Sequence, residues 1–221
     1  MSTVGNTVGI IGAGKVGTAL GRLAHNAGWD VLFSDVNDAS VQGLIIETMV
    51  PGARLVSVPE LAGAADFVIV AVPFGASPAV EWNALDGHVV VDAMNHWYAV
   101  DGDLPWLEGF EGATAELTQS RNPRMRVVKS LNHLGYHDME TDARPAGDPM
   151  RRALTAASDD VEARAVVARF IDEIGFDPLV ASLADSKLLE PDGPVFGIEL
   201  SAEEMLAALN ETGGAGTARP A

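Results

Sequence analysis

Short apolar runs bounded by turn residues recur along the chain, at residues 8–11 (VGII), 31–33 (VLF), 67–72 (FVIVAV) and 89–91 (VVV). Each reads as a buried strand, and the segments between them have helical period or helix length. From Lys15 onward, Val16, Ala19, Leu20, Leu23, Ala24 and Ala27 follow the i, i+3, i+4, i+7 spacing of an amphipathic helix, and Gly28 stops it. Alternating strands and helices predict a parallel sheet covered on both faces.

The alternation continues in the second half. Residues 126–130 predict a strand, and the stretch LNHLGYHDMETDARPAGDP predicts a loop, because its Gly and Pro discourage regular structure. Residues 152–157 predict another strand. Ala163, Val166, Val167, Phe170, Ile171 and Ile174 predict a helix, with Asp159 and Glu162 as its capping box, and residues 178–181 predict a last strand. The tail ETGGAGTARPA is small and Gly-rich, which leaves one domain over residues 1–210 and a flexible tail at 211–221.

The first strand runs into GIIGAGKVG, a glycine stretch with two phosphate-binding readings. From Gly9 it almost spells the mononucleotide loop G-x-x-x-x-G-K-[ST], but Val16 cannot supply the hydroxyl that magnesium needs. From Gly12 it spells G-x-G-x-x-G. Gly12 then permits the tight turn, Gly14 lets backbone approach a pyrophosphate, and Gly17 lets the helix pack on the strand. The helix N-terminus adds N–H donors and partial positive charge. Asp35 closes the second strand, where a carboxylate accepts hydrogen bonds from ribose hydroxyls and repels a 2′-phosphate. Neither Val36 nor Asn37 offers a cation for that phosphate, so the residues favour NAD over NADP. The pattern predicts an α/β, Rossmann-type, doubly wound and mainly parallel sheet with a short C-terminal helical extension.

Composition narrows the partners. A formal charge of −17 over 221 residues repels nucleic acid and anionic membranes. No apolar run reaches the roughly 20 residues of a membrane span, and MSTVGNT lacks the start of a signal peptide, so a cytoplasmic location is expected. There is no cysteine. Seven of the 14 Lys and Arg (Arg121, Arg124, Arg126, Lys129, Arg144, Arg151 and Arg152) crowd one region, either to meet an anion or to pair with the abundant carboxylates.

Taken together, VGIIGAGKVGTALGRLAHNAGWDV, FVIVAVPF, VVVDAMN and RVVKSLNHLGYHDME resemble the coenzyme F420-dependent NADP oxidoreductases and the related reductase domains of six-transmembrane metalloreductases. The resemblance covers roughly residues 7–200. It implies hydride transfer between a nicotinamide and a planar acceptor, coenzyme F420 or a flavin, and an NADP cofactor. By that resemblance Gly12, Gly14, Lys15 and Val16 hold the pyrophosphate, while Ala71, Val72, Pro73 and Phe74 pass under the adenosine and the nicotinamide ribose. By the same resemblance Asn95 lies near the nicotinamide, and Asn132 and His133 face the second ligand; His96 and Trp97, in NHWY after a predicted strand end where sites of such sheets lie, read as lining residues. NADP-using members commonly place Ser, Thr or Arg after the second strand, where this chain has Ser34 and Asp35. Asn132 matches the metalloreductase branch, since the deazaflavin enzymes carry histidine there.

Direct hydride transfer between two rings needs orientation more than a strong acid or base. Reduction of a small carbonyl or imine is the second enzyme reading. It needs a proton donor, for which His133, His137, His96, Tyr136 and Tyr98 are the candidates. A dinucleotide-binding sensor without turnover is the reading from another class. His133 and His137 have the spacing of two metal ligands on a helix, but Gly135 and the absence of a following Glu speak against a metal. Ser77 in GASPA lacks the second glycine of a nucleophile elbow. The segment KLLEPDGPVFG reads as a loop closing over the cleft or as the contact of a homodimer.

Overall fold

The computed structural model describes residues 6–36, 39–212 and 219–221. The glycine-stretch unit comes first, as β1 (Thr7–Ile11), α1 (Lys15–Asn26) and β2 (Asp30–Ser34), followed by α2 (Ala39–Met49), β3 (Arg54–Leu55), α3 (Val58–Ala64) and β4 (Phe67–Val70). Two 3-10 turns lead to β5 (Val89–Asp92), α4 (Tyr98–Asp101), α5 (Thr114–Arg121) and β6 (Arg126–Lys129). The chain ends with α6 (Met139–Asp142), β7 (Ala153–Ala157), α7 (Val161–Glu173), β8 (Asp177–Ala181), α8 (Ala202–Thr212) and β9 (Arg219–Pro220).

Among the described residues, nine strands share one sheet in the order β3-β2-β1-β4-β5-β6-β7-β8-β9. The first six reproduce the 3-2-1-4-5-6 order of a dinucleotide-binding sheet and pair in parallel. The order reverses between β1 and β4, and the crevice at the carboxyl ends of those strands is where ligands of such sheets bind. β7 runs antiparallel to β6, with Lys129 opposite Ala157, and β8 resumes parallel to β7. The link from β6 to β7 holds one short helix, the four-residue α6, and brings the chain back antiparallel to β6.

Alternate residues feed two cores, as a sheet buried on both faces requires. Phe67 and Ile69 of β4, with Val89 and Val91 of β5, pack against α1 and α7, while Val68, Val70 and Val90 pack against α3 and α5. Trp29, Phe67 and Phe170 meet edge to face with centroids 5.0–5.5 Å apart, joining α7 to the first βα unit. α8 covers a third cluster beside β7 and β8, through Met205 and Leu209.

Some expected details move. The first residue of α7 follows Asp160, whose carboxylate accepts from Ala163 N–H at 2.9 Å, so Asp160 and not Asp159 is the cap. Asp159 instead accepts from Leu183 N–H at 3.1 Å. Glu162 pairs with Arg126 at 3.2 Å and does not close a capping box. In the anticipated tail, residues 213–218 lie outside the described residues, whereas β9 pairs antiparallel with β8. Among the described residues no helix is long and apolar enough to cross a membrane.

Candidate functional site

The glycine turn sits at the reversal of strand order. Gly12 has φ +104°, and a Cβ there would lie 2.6 Å from Ala71 O, so both its conformation and its neighbour exclude a side chain. A Cβ at Gly17 would overlap Gly12 O, which is how α1 comes close to the turn. Gly14 is different. A Cβ there meets nothing within 4 Å, and Gly14 caps α1 with no side-chain hydrogen bond and no acidic residue in the first turn. An open surface beside an uncapped helix N-terminus fits a pyrophosphate. Gly9 has another task, since a Cβ there would run into Leu61 of α3, so it belongs to strand packing and not to a phosphate loop.

Asp35 ties the second strand to this turn. Its Oδ2 accepts from Ala13 N–H at 2.7 Å, and Gly12 N–H donates to Ser34 O at 2.8 Å. Between them opens a cleft of about 360 Å³, with Gly12, Gly14, Asp35, Val72, Pro73 and Glu81 among its walls. Ala71 also lines it. Phe74, expected to pass under the cofactor, does not line it: its side chain is buried against Trp106 at 5.3 Å and His96 at 6.3 Å. Val16 packs on the core below α1. Lys15 reaches across to the loop after β6, with Nζ 3.3 Å from Tyr136 Oη and 5.3 Å from its ring.

At the ends of β5 and β6, Asn95 and Asn132 are joined. Asn95 Nδ2 donates to Asn132 O at 2.7 Å, and Asn132 Nδ2 donates to Asn95 Oδ1 at 3.0 Å and to Leu189 O at 2.7 Å. Leu131 between β6 and this pair has φ +63°, a conformation costly for a non-glycine residue and held by the contacts around it. Asn95 is half-buried and Asn132 buried, so the pair positions the strand ends more than it presents the Asn132 amide to a ligand.

The candidate histidines separate. His133 is 1% exposed, and its Nε2 accepts from Thr155 N–H at 3.2 Å. Burial, reinforced by Arg152 and Lys129, pushes its pKa down to about 3. It is a neutral core residue that neither faces a second ligand nor has a proton to give at neutral pH. His137 is exposed and stacks beside Tyr136 with rings 3.9 Å apart, so the two histidines do not share a face. His96 is half-buried, with Nε2 3.4 Å from Gly102 O, and borders two cavities of about 430 and 440 Å³. Trp97 is exposed and meets Phe196 edge to face at 5.4 Å. KLLEPDGPVFG folds against this same end, where Glu190 Oε1 accepts from Thr114 N–H and Oγ1, both at 2.6 Å.

Beneath Asn95 lies a network that sequence reasoning missed. Lys129 and Asp92 are both fully buried, with Nζ 3.1 Å from Oδ1, and Nζ also donates to Met94 O and to Thr114 Oγ1. Asp92 accepts in turn from Met94 N–H and Thr118 Oγ1. The available signal was a charged residue ending each of two adjacent apolar strands, VVVD and RVVK. The rest of the basic cluster is likewise engaged: Arg124 with Asp86, Arg126 with Asp160, Arg151 with Asp172 and Asp177, and Arg152 with Asp142. Arg121 covers the Trp106 ring, and Arg144 donates to carbonyls. Among the described residues, no three metal-ligating side chains come together.

Comparison with known proteins agrees with this geometry. Residues 7–96 match the family model of coenzyme F420-dependent NADP oxidoreductases. No curated protein matches the sequence. Among solved structures, a hypothetical protein from Sinorhizobium meliloti superposes with TM-score 0.74 at 24% identity, over 88% of this chain and 95% of that one. A protein assigned as an F420-dependent NADP-reductase from Arthrobacter sp. FB24 gives 0.67 at 22% identity, over 89% and 100%. An imine reductase from Pseudomonas sp. gives 0.57 at 13% identity, and there the match spans 81% of this chain but only 57% of that one. In sequence over residues 7–96, the chain resembles the coenzyme F420-dependent NADP oxidoreductases, and it shares their dinucleotide-binding fold.

Proposed function

We propose that the protein is an oxidoreductase that moves hydride between a nicotinamide dinucleotide and a flat redox partner such as coenzyme F420 or a flavin. The observation that carries this reading is the open Gly14 surface at the uncapped start of α1, at the point where the strand order reverses. There the N–H groups of the first turn of α1 would receive the pyrophosphate, with Lys15 beside them. Asp35 would accept from the adenosine ribose, which favours NAD over the NADP of the family. The Ala71–Val72–Pro73 wall would bound the rest of the cofactor. The nicotinamide supplies the hydride chemistry when bound, and the chain's own part is to orient it and exclude water. Asn95, held by Asn132 and seated on the Lys129–Asp92 network, would keep the partner side of the site in place.

The second reading, reduction of a small carbonyl or imine, is favoured by one observation: His96 opens onto a cavity of about 430 Å³ that Tyr98 also lines. The test is to titrate the protein with NADH and with NADPH, then to assay each reduced cofactor against coenzyme F420, flavins and small carbonyl and imine compounds. Oxidation by a flat ring supports the first reading, oxidation by carbonyl or imine alone the second. Firm binding without turnover would leave a sensor.

A further inference from the structure

Among the described residues that line the cofactor cleft, the charged ones are Asp35 and Glu81, both acidic. Asp35 and Val36 form its β2 edge, and the opposite wall descends from Pro73 through a 3-10 helix, Phe74–Ala79, to Val80 and Glu81. Val36, 94% exposed, and Val58, Ala76 and Val80 make the surfaces between the two acids apolar, suited to a flat base. Among the described residues, no Lys or Arg lines this cleft. Arg54 lies on the neighbouring edge strand, where its charge acts on Glu60.

The backbone at Glu81 is held. Val80 N–H donates to Ser77 O at 3.1 Å, Trp82 N–H donates to Val80 O at 2.8 Å, and Trp82 Nε1–H donates to Ser77 O at 2.8 Å. Leu85, at the end of the turn that Glu81 starts, is fully buried. The backbone that carries Glu81 is therefore fixed at the cleft wall, and its side chain is exposed.

We propose that Glu81 is a specificity-determining residue that acts with Asp35 to make the cleft select a dinucleotide with a free 2′-hydroxyl and reject one with a 2′-phosphate. This rests on the dinucleotide reading given above. A ribose hydroxyl can donate a hydrogen bond to a carboxylate. A phosphate at that position has only acceptor oxygens and adds a charge of about −1.5 to −2 between two anions. Discrimination by repulsion of this kind persists when either acid alone is removed. Neutralising Asp35 therefore leaves half the barrier standing.

The test is fluorescence titration of the full chain with NADH and NADPH separately, at low and high salt. Wild-type protein is expected to bind NADPH at least about ten-fold more weakly than NADH, and salt is expected to narrow that ratio because it screens exposed charge. Glu81→Gln narrows it about three-fold, and the Asp35→Asn/Glu81→Gln pair about ten-fold or more. A merely steric wall would not give the salt dependence. A ratio unmoved by Glu81→Gln at low salt, or tighter NADPH binding by the wild type, overturns the inference while the dinucleotide reading stands. Binding of neither cofactor by folded protein, checked by circular dichroism, overturns the reading and the inference together.

Discussion

Lys129 Nζ lies 3.1 Å from Asp92 Oδ1, and neither side chain reaches solvent. The two residues end adjacent parallel strands in register, so the ion pair clamps the carboxyl edge of the sheet, and Lys129 Nζ also holds Met94 O, one residue before Asn95. Removing one partner leaves the other charged and buried. Lys129→Met is expected to cost about 3–5 kcal/mol, read as a lower urea midpoint. The double variant Lys129→Met/Asp92→Leu should recover part of that loss, because the orphaned carboxylate goes with its partner. A Lys129→Met midpoint equal to that of the wild type would contradict the pairing.

His133 gives the protein an acid-sensitive core. Its folded pKa of about 3 lies below the usual 6.5, so below pH 6.5 the unfolded chain takes up a proton that the folded chain refuses. Stability is then lost at about 1.4 kcal/mol per pH unit as pH falls from 6.5 toward 3. Asp160, held down to about 2 chiefly by Arg126, adds its own loss from about pH 5 downward, as the unfolded carboxylate begins to protonate around its usual 3.8. Glu60 and Glu204, held below their usual 4.5 by hydrogen bonds from Ser57 and Ser201, also act below about pH 5, so the slope between pH 6.5 and about 5 reports largely on the histidine. His133→Gln, which can still accept from Thr155 N–H, should flatten the dependence of the urea midpoint on pH in that window. An unchanged slope would show that His133 is protonated in the fold.

The glycine loop predicts a separation of stability from binding. Gly14→Ala enters open space and should leave the melting temperature within a degree or two, yet weaken dinucleotide binding at least about ten-fold by standing where backbone must approach phosphate. Gly12→Ala forces φ +104° on a side chain and drives it against Ala71, so it should lower stability as well as binding. Calorimetric melting and NADH titration of the two variants separate the effects. A destabilised Gly14→Ala protein would mean that the loop surface is not open.

What the sequence made legible was local. The β1–turn–α1 unit is written in adjacent residues, and even the competing phosphate loop could be set aside from Val16 alone. Asp35 could be placed because it ends a strand whose length was visible. The Asp92–Lys129 pair depends on the register of two strands more than thirty residues apart, which no local pattern encodes. His133 and Phe74 were assigned to the site by family resemblance, which carries a position but not the direction a side chain takes. Each instead turns inward, to Thr155 and to Trp106. The antiparallel pairing of β7 with β6 is likewise a property of the assembled sheet, which no residue of the strand signals by itself.

The central claim is direct hydride transfer from a dinucleotide in the Gly12–Asp35 cleft to a flat partner. Its sharpest test uses NADH deuterated at the transferring C4 position, with coenzyme F420 as acceptor, since a deazaflavin carbon retains the label that a flavin nitrogen would exchange. Mass spectrometry of the reduced acceptor is expected to find one deuterium per dinucleotide oxidised, and the signal should be much reduced with the Gly14→Ala variant. Firm NADH binding with no label on the acceptor, or label recovered only in water, would contradict the account.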